Sequence, residues 1–159
     1  MSRVVGIDPG VDGAIALVQD KKPPEVWDLE AASIGTVRQL VPQMIVDMLA
    51  AWGEVDLVVV EDNRALGSNG SLANWSMGVS MGIVFGVCAA MNRPILRVKP
   101  KEWQAELGLS QVKHVDRKNA HRQRAREMWP SLDDSLKLVK HHDRADALMI
   151  AEYGRRLLS

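Results

Sequence analysis

Four acidic residues occupy positions where carboxylates could do chemistry. Asp8 ends the apolar run R-V-V-G-I-D over residues 3–8, and Glu61 ends L-V-V-V-E over residues 57–61. An acid closing a buried strand is costly unless it is solvated, paired or bound to a cation. The other two stand in H-D-R-A-D-A, where Asp143 and Asp146 are three residues apart and share one face of a helix. Hard cations such as magnesium take oxygen ligands and few protein carboxylates. Two such ions, roughly 3.5–4 Å apart, can activate water and stabilise the leaving oxygen in phosphodiester hydrolysis. Two strands and one helix could together supply that site. Each acid also has an ordinary reading: Asp8 as a turn cap in D-P-G, Glu61 as the entry to a loop, Asp143 as a helix cap with Asp146 in the first turn.

Charge is distributed unevenly around these acids. The formal net charge is zero, yet residues 1–62 carry four Lys/Arg against eleven Asp/Glu, and residues 93–126 carry ten against three. An acidic centre beside a basic surface suits metal ions in the first and a polyanion on the second. Lys118, Arg122 and Arg126 recur every four residues, so they share a helix face, with Lys113, His114 and Arg117 just before them. Contacts of this kind to phosphates supply much of the affinity for DNA. A solvated helix face is the plain alternative. His141 and His142 are read as solvated or phosphate-facing, because two further ligands for zinc are not in evidence. The single cysteine, Cys88, lies among Val87, Ala89 and Ala90 and reads as a small core residue. One cysteine excludes an internal disulfide framework and fits a reducing cytoplasm.

The elements that must hold these residues can be read from the hydrophobic pattern. Residues 3–8, 13–19 and 25–28 read as an antiparallel meander, with D-P-G-V-D-G as the first turn. Helical spacing of Val37, Leu40, Val41, Met44, Ile45, Met48 and Leu49 predicts a helix over 36–52, with Pro42 either in its first turn or at a kink. The uninterrupted apolar run 57–61 predicts a strand covered on both faces. A polar, glycine-bearing loop over 62–73 precedes a helix over 74–91, in which Gly78, Gly82 and Gly86 recur every four residues. That spacing predicts close packing on a sheet or another helix, and Ser76, Ser80 and the short length argue against a membrane span. A strand over 94–98 follows, then helices over 99–107, 117–129 and 143–157. Strands in a meander, then strands alternating with helices, imply an α/β mixed sheet with helices on its faces. The length, 159 residues, suits one domain across the whole chain, with no leader at the N-terminus.

Three acidic segments occur in order: V-V-G-I-D-P-G-x-x-G-A-I-A, V-V-V-E and D-R-A-D-A-L-x-I-A. Together they resemble the motifs of RuvC-type Holliday junction resolvases. R-P-I-L-R-V-K-P-K-E-W, D-R-K-N-A-H-R-Q-R-A and W-P resemble the phage-encoded branch of that family. The resemblance spans essentially the whole chain. It implies an RNase H-like fold with a five-stranded mixed sheet. It further implies that Asp8, Glu61, Asp143 and Asp146 hold two Mg²⁺ ions, with Mn²⁺ as a substitute. The implied activity is structure-selective cutting of four-way junctions, and of forks and flaps, in recombination, repair or phage DNA processing. The implied assembly is a cytoplasmic homodimer without membrane association, since two symmetric strands must be cut. Lys118 is the first candidate for the family's active-site lysine, and Lys113 the second. Arg64 and Asn69, in the loop after Glu61, join Lys113, Arg117, Lys118, Arg122 and Arg126 as candidate DNA contacts. That loop lacks the aromatic residue that cellular members present, although Trp75 lies beside it as a substitute or as a buried helix-start residue. Little sequence preference is therefore expected. The rival readings are a non-catalytic DNA-binding module and an actin-like ATPase. The first sits badly with four acids that would repel DNA. The second needs another large domain.

Overall fold

The computed structural model describes residues 1–62 and 70–159. Strands β1 (Arg3–Asp8), β2 (Ala14–Gln19) and β3 (Glu25–Asp28) form the antiparallel meander read from the sequence. The first turn is tight: a Cβ at Gly13 would run into the Asp8 carbonyl oxygen. A short antiparallel ribbon, β4 (Ala31–Ile34) and β5 (Val37–Leu40), stands apart from the main sheet. The helix expected over 36–52 is therefore shorter. Residues 37–40 are strand, and α1 runs Pro42–Trp52. Proline explains the boundary, because it disfavours helical backbone in the residue before it while suiting the first helical turn. Val41 is accordingly extended, at φ −86° and ψ 105°. Gly35, at φ +64°, reverses the chain between β4 and β5 in a conformation costly for other residues.

Strand β6 (Leu57–Glu61) then pairs in parallel with β1. Helix α2 (Ser71–Ala90) leads to β7 (Ile95–Val98), which pairs in parallel with β6. The five-stranded order is β3-β2-β1-β6-β7. Helices α3 (Pro100–Glu106), α4 (Arg117–Met128), α5 (Asp133–Leu136) and α6 (His142–Leu157) complete the chain, with a short 3-10 turn at Val139–His141 before α6.

Strand alternation sorts the core into two layers. Val5, Ile7, Val58 and Val60 pack with Ile45, Leu49 and Trp52 of α1 and with Met81, Val84 and Cys88 of α2. Val4 and Val59 face the opposite way, onto Trp103, Ala125 and the buried stripe of α6. Both faces of β1 and β6 are thus covered, as their uninterrupted apolar character required. Burial also pushes the Cys88 thiol up to about 11, so it remains an un-ionised core residue.

Helix α2 departs from the expectation of glycine-mediated packing within the chain. Nothing among the described residues lies within 4 Å of a Cβ built at Gly78, Gly82 or Gly86. Met81, Val84 and Cys88, spaced by three and four, carry the contact with the sheet and turn the glycines outward. By length and composition alone α2 is apolar enough to cross a membrane, and 28% of its apolar window is buried. Leu72 and Trp75 are exposed at its start.

Candidate active site

Register and alternation bring the first two acids together. Ile7 stands opposite Val60 in the parallel β1–β6 pair, so Asp8 and Glu61 leave the sheet side by side. Both follow Val4 and Val59 onto the face covered by α6. That helix lies unusually close to β1. A Cβ at Gly6 would meet the Ala147 carbonyl oxygen and the Ala151 backbone, and one at Gly154 would meet Val59 and Val4. The close approach sets Asp143 and Asp146, in the opening turns of α6, against the ends of β1 and β6. Leu148, Met149 and Ile150 are fully buried. At about 1.5–3 kcal/mol each, these side chains stabilise the docking by an upper estimate of roughly 5–9 kcal/mol.

Asp8, Asp143 and Asp146 each offer an oxygen, and these oxygens lie within 4.8 Å of one another. Asp8 and Glu61 are buried, at 8% and 7% exposure, whereas Asp143 and Asp146 are partly open. Burial holds the Asp8 carboxyl well above the ordinary aspartate range, and Glu61, Asp146 and Asp143 raise it further against the Gly10 amide. Burial also raises Asp143, where the neighbouring His142 and Lys118 work in the opposite direction. Glu61, Asp146 and Asp143 together make Asp8 harder to ionise, which is the electrostatic condition a bound cation relieves. An all-oxygen set of partly buried carboxylates fits a hard divalent ion.

Two buried aromatic residues stand behind the acids. Trp103 Nε1 donates to Glu61 Oε1 at 2.8 Å, and His121 Nδ1 lies 2.6 Å from Asp146 Oδ1. Both stand in segments that carry the family resemblance, but the sequence alone assigns neither a role. The available signal for His121 was its spacing with Ala125 and Met128, the inward stripe of a helix whose other faces are basic. Arg144, between the two aspartates, clamps the start of α6 to the meander through two 2.6 Å bonds to Asp28.

The basic candidates divide by position. Arg117 and Lys118 line a cleft of about 310 Å³ together with Glu61, Asp143 and Asp146. Lys113 is exposed in the segment before α4. Arg122 donates to the Lys137 carbonyl at 2.9 Å, and Arg126 pairs with Asp133 at 2.6 Å, away from the acids. Arg64 and Asn69 lie outside the described residues. A neighbouring cleft of about 340 Å³ shares His142 and Asp143 and extends to Arg38 and Lys140, two cations the sequence reading did not single out. His142 Nε2 contacts Asp143 at 3.0 Å. His141, by contrast, is buried rather than solvated. Its burial, with Arg144 and Lys140 nearby, lowers its pKa. Trp75 is half-exposed and not a buried helix-start residue.

No protein-family model matches the chain, and no curated protein matches it by sequence. Solved structures do match. Thermus thermophilus RuvC aligns at TM-score 0.60 and 19% identity, over 98% of this chain and 96% of its own. T. thermophilus RuvC in complex with Holliday junction substrate aligns at 0.60 and 18%, with the same coverage. The yeast mitochondrial Holliday junction resolvase Ydc2 aligns at 0.56 and 17%, over 98% of this chain and 78% of its own. The sheet order and flanking helices are those of an RNase H-like fold. Within that class, the arrangement is similar to that of RuvC and the mitochondrial resolvase.

Proposed function

We propose that this chain is a divalent-metal-dependent endonuclease that cuts branched DNA, four-way junctions foremost. The carrying observation is that Asp8 meets Asp143 and Asp146, and that these two share a cleft with Glu61, Arg117 and Lys118. The similarity in fold to a RuvC solved with Holliday junction substrate supports the choice of DNA. In this reading the four carboxylates hold two Mg²⁺ ions, for which Mn²⁺ substitutes. Bound there, such ions supply an activated water and stabilisation of the leaving oxygen. Lys118, beside Asp143, meets the phosphate being cut, and Arg117 holds the strand across the cleft. Lys113, before α4, and Arg122 and Arg126, further along it, contribute phosphate contacts, and Arg64 and Asn69 are further candidate DNA contacts. Arg122 and Arg126 must exchange their internal partners to do so.

The test is turnover on a panel of synthetic junctions, forks, flaps and linear duplex, with Mg²⁺, Mn²⁺ or EDTA. Branched DNAs should be cut only with a divalent ion, at many branch sequences, and linear duplex poorly. Junction binding that no divalent ion converts into cutting would favour a non-catalytic DNA-binding module instead.

The active assembly in this reading is a homodimer, whose two-fold symmetry places one site on each of two symmetric junction strands. Helix α2 is the proposed interface. Its glycine face has open space where Cβ atoms would be, and Leu72 and Trp75 are exposed on the same helix. Sedimentation should give twice the 17.6 kDa chain mass. A monomer that stays monomeric on junction DNA would rule this assembly out.

A further inference from the structure

Glu61 comes from the sheet and Asp146 from α6; the seat of α6 on β1 brings these elements together, and two buried aromatics link the carboxylates themselves. The Trp103 ring has no exposed surface, and the His121 side chain is 5% exposed. Their ring centroids lie 5.0 Å apart in an edge-on contact at 66° between planes. One ring bonds Glu61, the other bonds Asp146, and each ring packs on the other. We infer that Trp103 and His121 form a single positioning brace that sets the separation of Glu61 and Asp146, and with it the affinity of the acid cluster for divalent ions. This rests on the metal-dependent reading above.

The chemistry of the donors makes the brace directional. An indole N–H can only donate, so Trp103 has one use for a carboxylate oxygen. An ionised carboxylate only accepts, so His121 must carry its hydrogen on Nδ1 in the contact with Asp146. Each bond engages a named oxygen, Oε1 of Glu61 and Oδ1 of Asp146. The partner oxygen of each carboxylate is thereby turned to a fixed direction. Residues that orient metal-binding carboxylates in this way typically change metal affinity about 10–100-fold when removed. His121 Nε2 is buried without a hydrogen-bond partner among the described residues, so only Nδ1 serves the site.

That asymmetry supplies the test. An Asn amide N–H can take the place of Nδ1–H, whereas Gln reaches the position of Nε2. Mn²⁺ would be titrated calorimetrically into full-length protein without DNA, with junction binding in EDTA and melting temperature measured alongside. His121→Gln and Trp103→Phe should weaken Mn²⁺ binding by about 10–100-fold with junction binding in EDTA retained. His121→Asn should recover most of the loss. A merely structural role would lower the melting temperature of Asn and Gln variants alike and leave Mn²⁺ affinity where it was. Wild-type affinity in both His121→Gln and Trp103→Phe would overturn the brace alone. Wild-type protein that takes up no Mn²⁺ would overturn the metal-dependent reading and the brace with it.

Discussion

Asp8→Asn should lower strand cutting by roughly a hundredfold to a thousandfold or more, the size of effect expected when one electrostatic partner of a charged transition state is lost. The same change should make the metal-free protein more stable. Asp8 is buried among Glu61, Asp143 and Asp146, and its carboxyl is held well above the ordinary range, first by burial and then by those three acids. A folded-state pKa above the unfolded value means that the folded protein binds the proton more tightly. That contribution is fully present below the unfolded pKa, about 4, and is lost as pH rises from there through the folded pKa. Asp20 and Asp28, held below the ordinary range, act in the opposite sense in both proteins, so the Asp8 contribution is read from the difference. In EDTA, the melting temperature of Asp8→Asn should gain on that of the wild type as pH rises out of the acid range. A gain of about 1 kcal/mol at neutral pH corresponds to roughly 2–4 °C for a chain of this size. Saturating Mg²⁺ should raise the wild-type melting temperature by mass action and leave the variant nearly unmoved. Junction binding in EDTA should persist, because Arg117 and Lys118 are untouched. A variant less stable than wild type in EDTA would show that the acids are not crowded in the way the cleft suggests.

This pairing of lost activity with gained stability rests on features that differ in how they appear in the sequence. The acids were visible because each ends or opens an element of clear period. The runs R-V-V-G-I-D and L-V-V-V-E are apolar up to their last residue, and D-R-A-D sits at the start of a helical pattern. The ribbon was not visible. Val37, Leu40 and Val41 continue the spacing of α1, and A-A-S-I is too short and exposed to show alternation. Only a turn at Gly35 and a proline boundary separate the two readings. The glycines of α2 mark a close-approach surface by their spacing, but spacing alone does not say on which side of the helix the sheet lies. Met81, Val84 and Cys88 decide that, and they do so only in three dimensions. Trp103 and His121 were hidden for a related reason. Each looks like an isolated residue in a charged segment until α3 and α4 are folded over the ends of β6 and α6.

Gly6→Ala should be the most damaging small substitution in the sheet. In an open strand, replacing glycine by alanine stabilises by about 0.5–1 kcal/mol through the unfolded chain. At Gly6 the added carbon would run into the Ala147 carbonyl oxygen and the Ala151 backbone nitrogen, with the Ala151 Cα at 2.9 Å. These are backbone atoms of a helix packed by Leu148, Met149 and Ile150, so no side-chain rotation relieves the clash. Overpacking of this kind typically costs about 1–3 kcal/mol or more, which reverses the sign of the usual glycine effect. The damage should also reach the cleft. Asp143, Ala147 and Ala151 recur every four residues, so the line of α6 that crosses Gly6 is the line that carries Asp143 to Asp8. Lifting the helix off β1 separates the acids of the strands from those of the helix. Gly6→Ala should therefore lose several degrees of melting temperature, and the protein that remains folded should bind Mn²⁺ weakly and cut poorly even at saturating junction. Calorimetric titration of Mn²⁺ at a temperature well below the melting transition separates the two effects. A Gly6→Ala protein that melts no lower than wild type and binds Mn²⁺ equally well would mean that the direct seat of α6 on β1 is not what brings the carboxylates together.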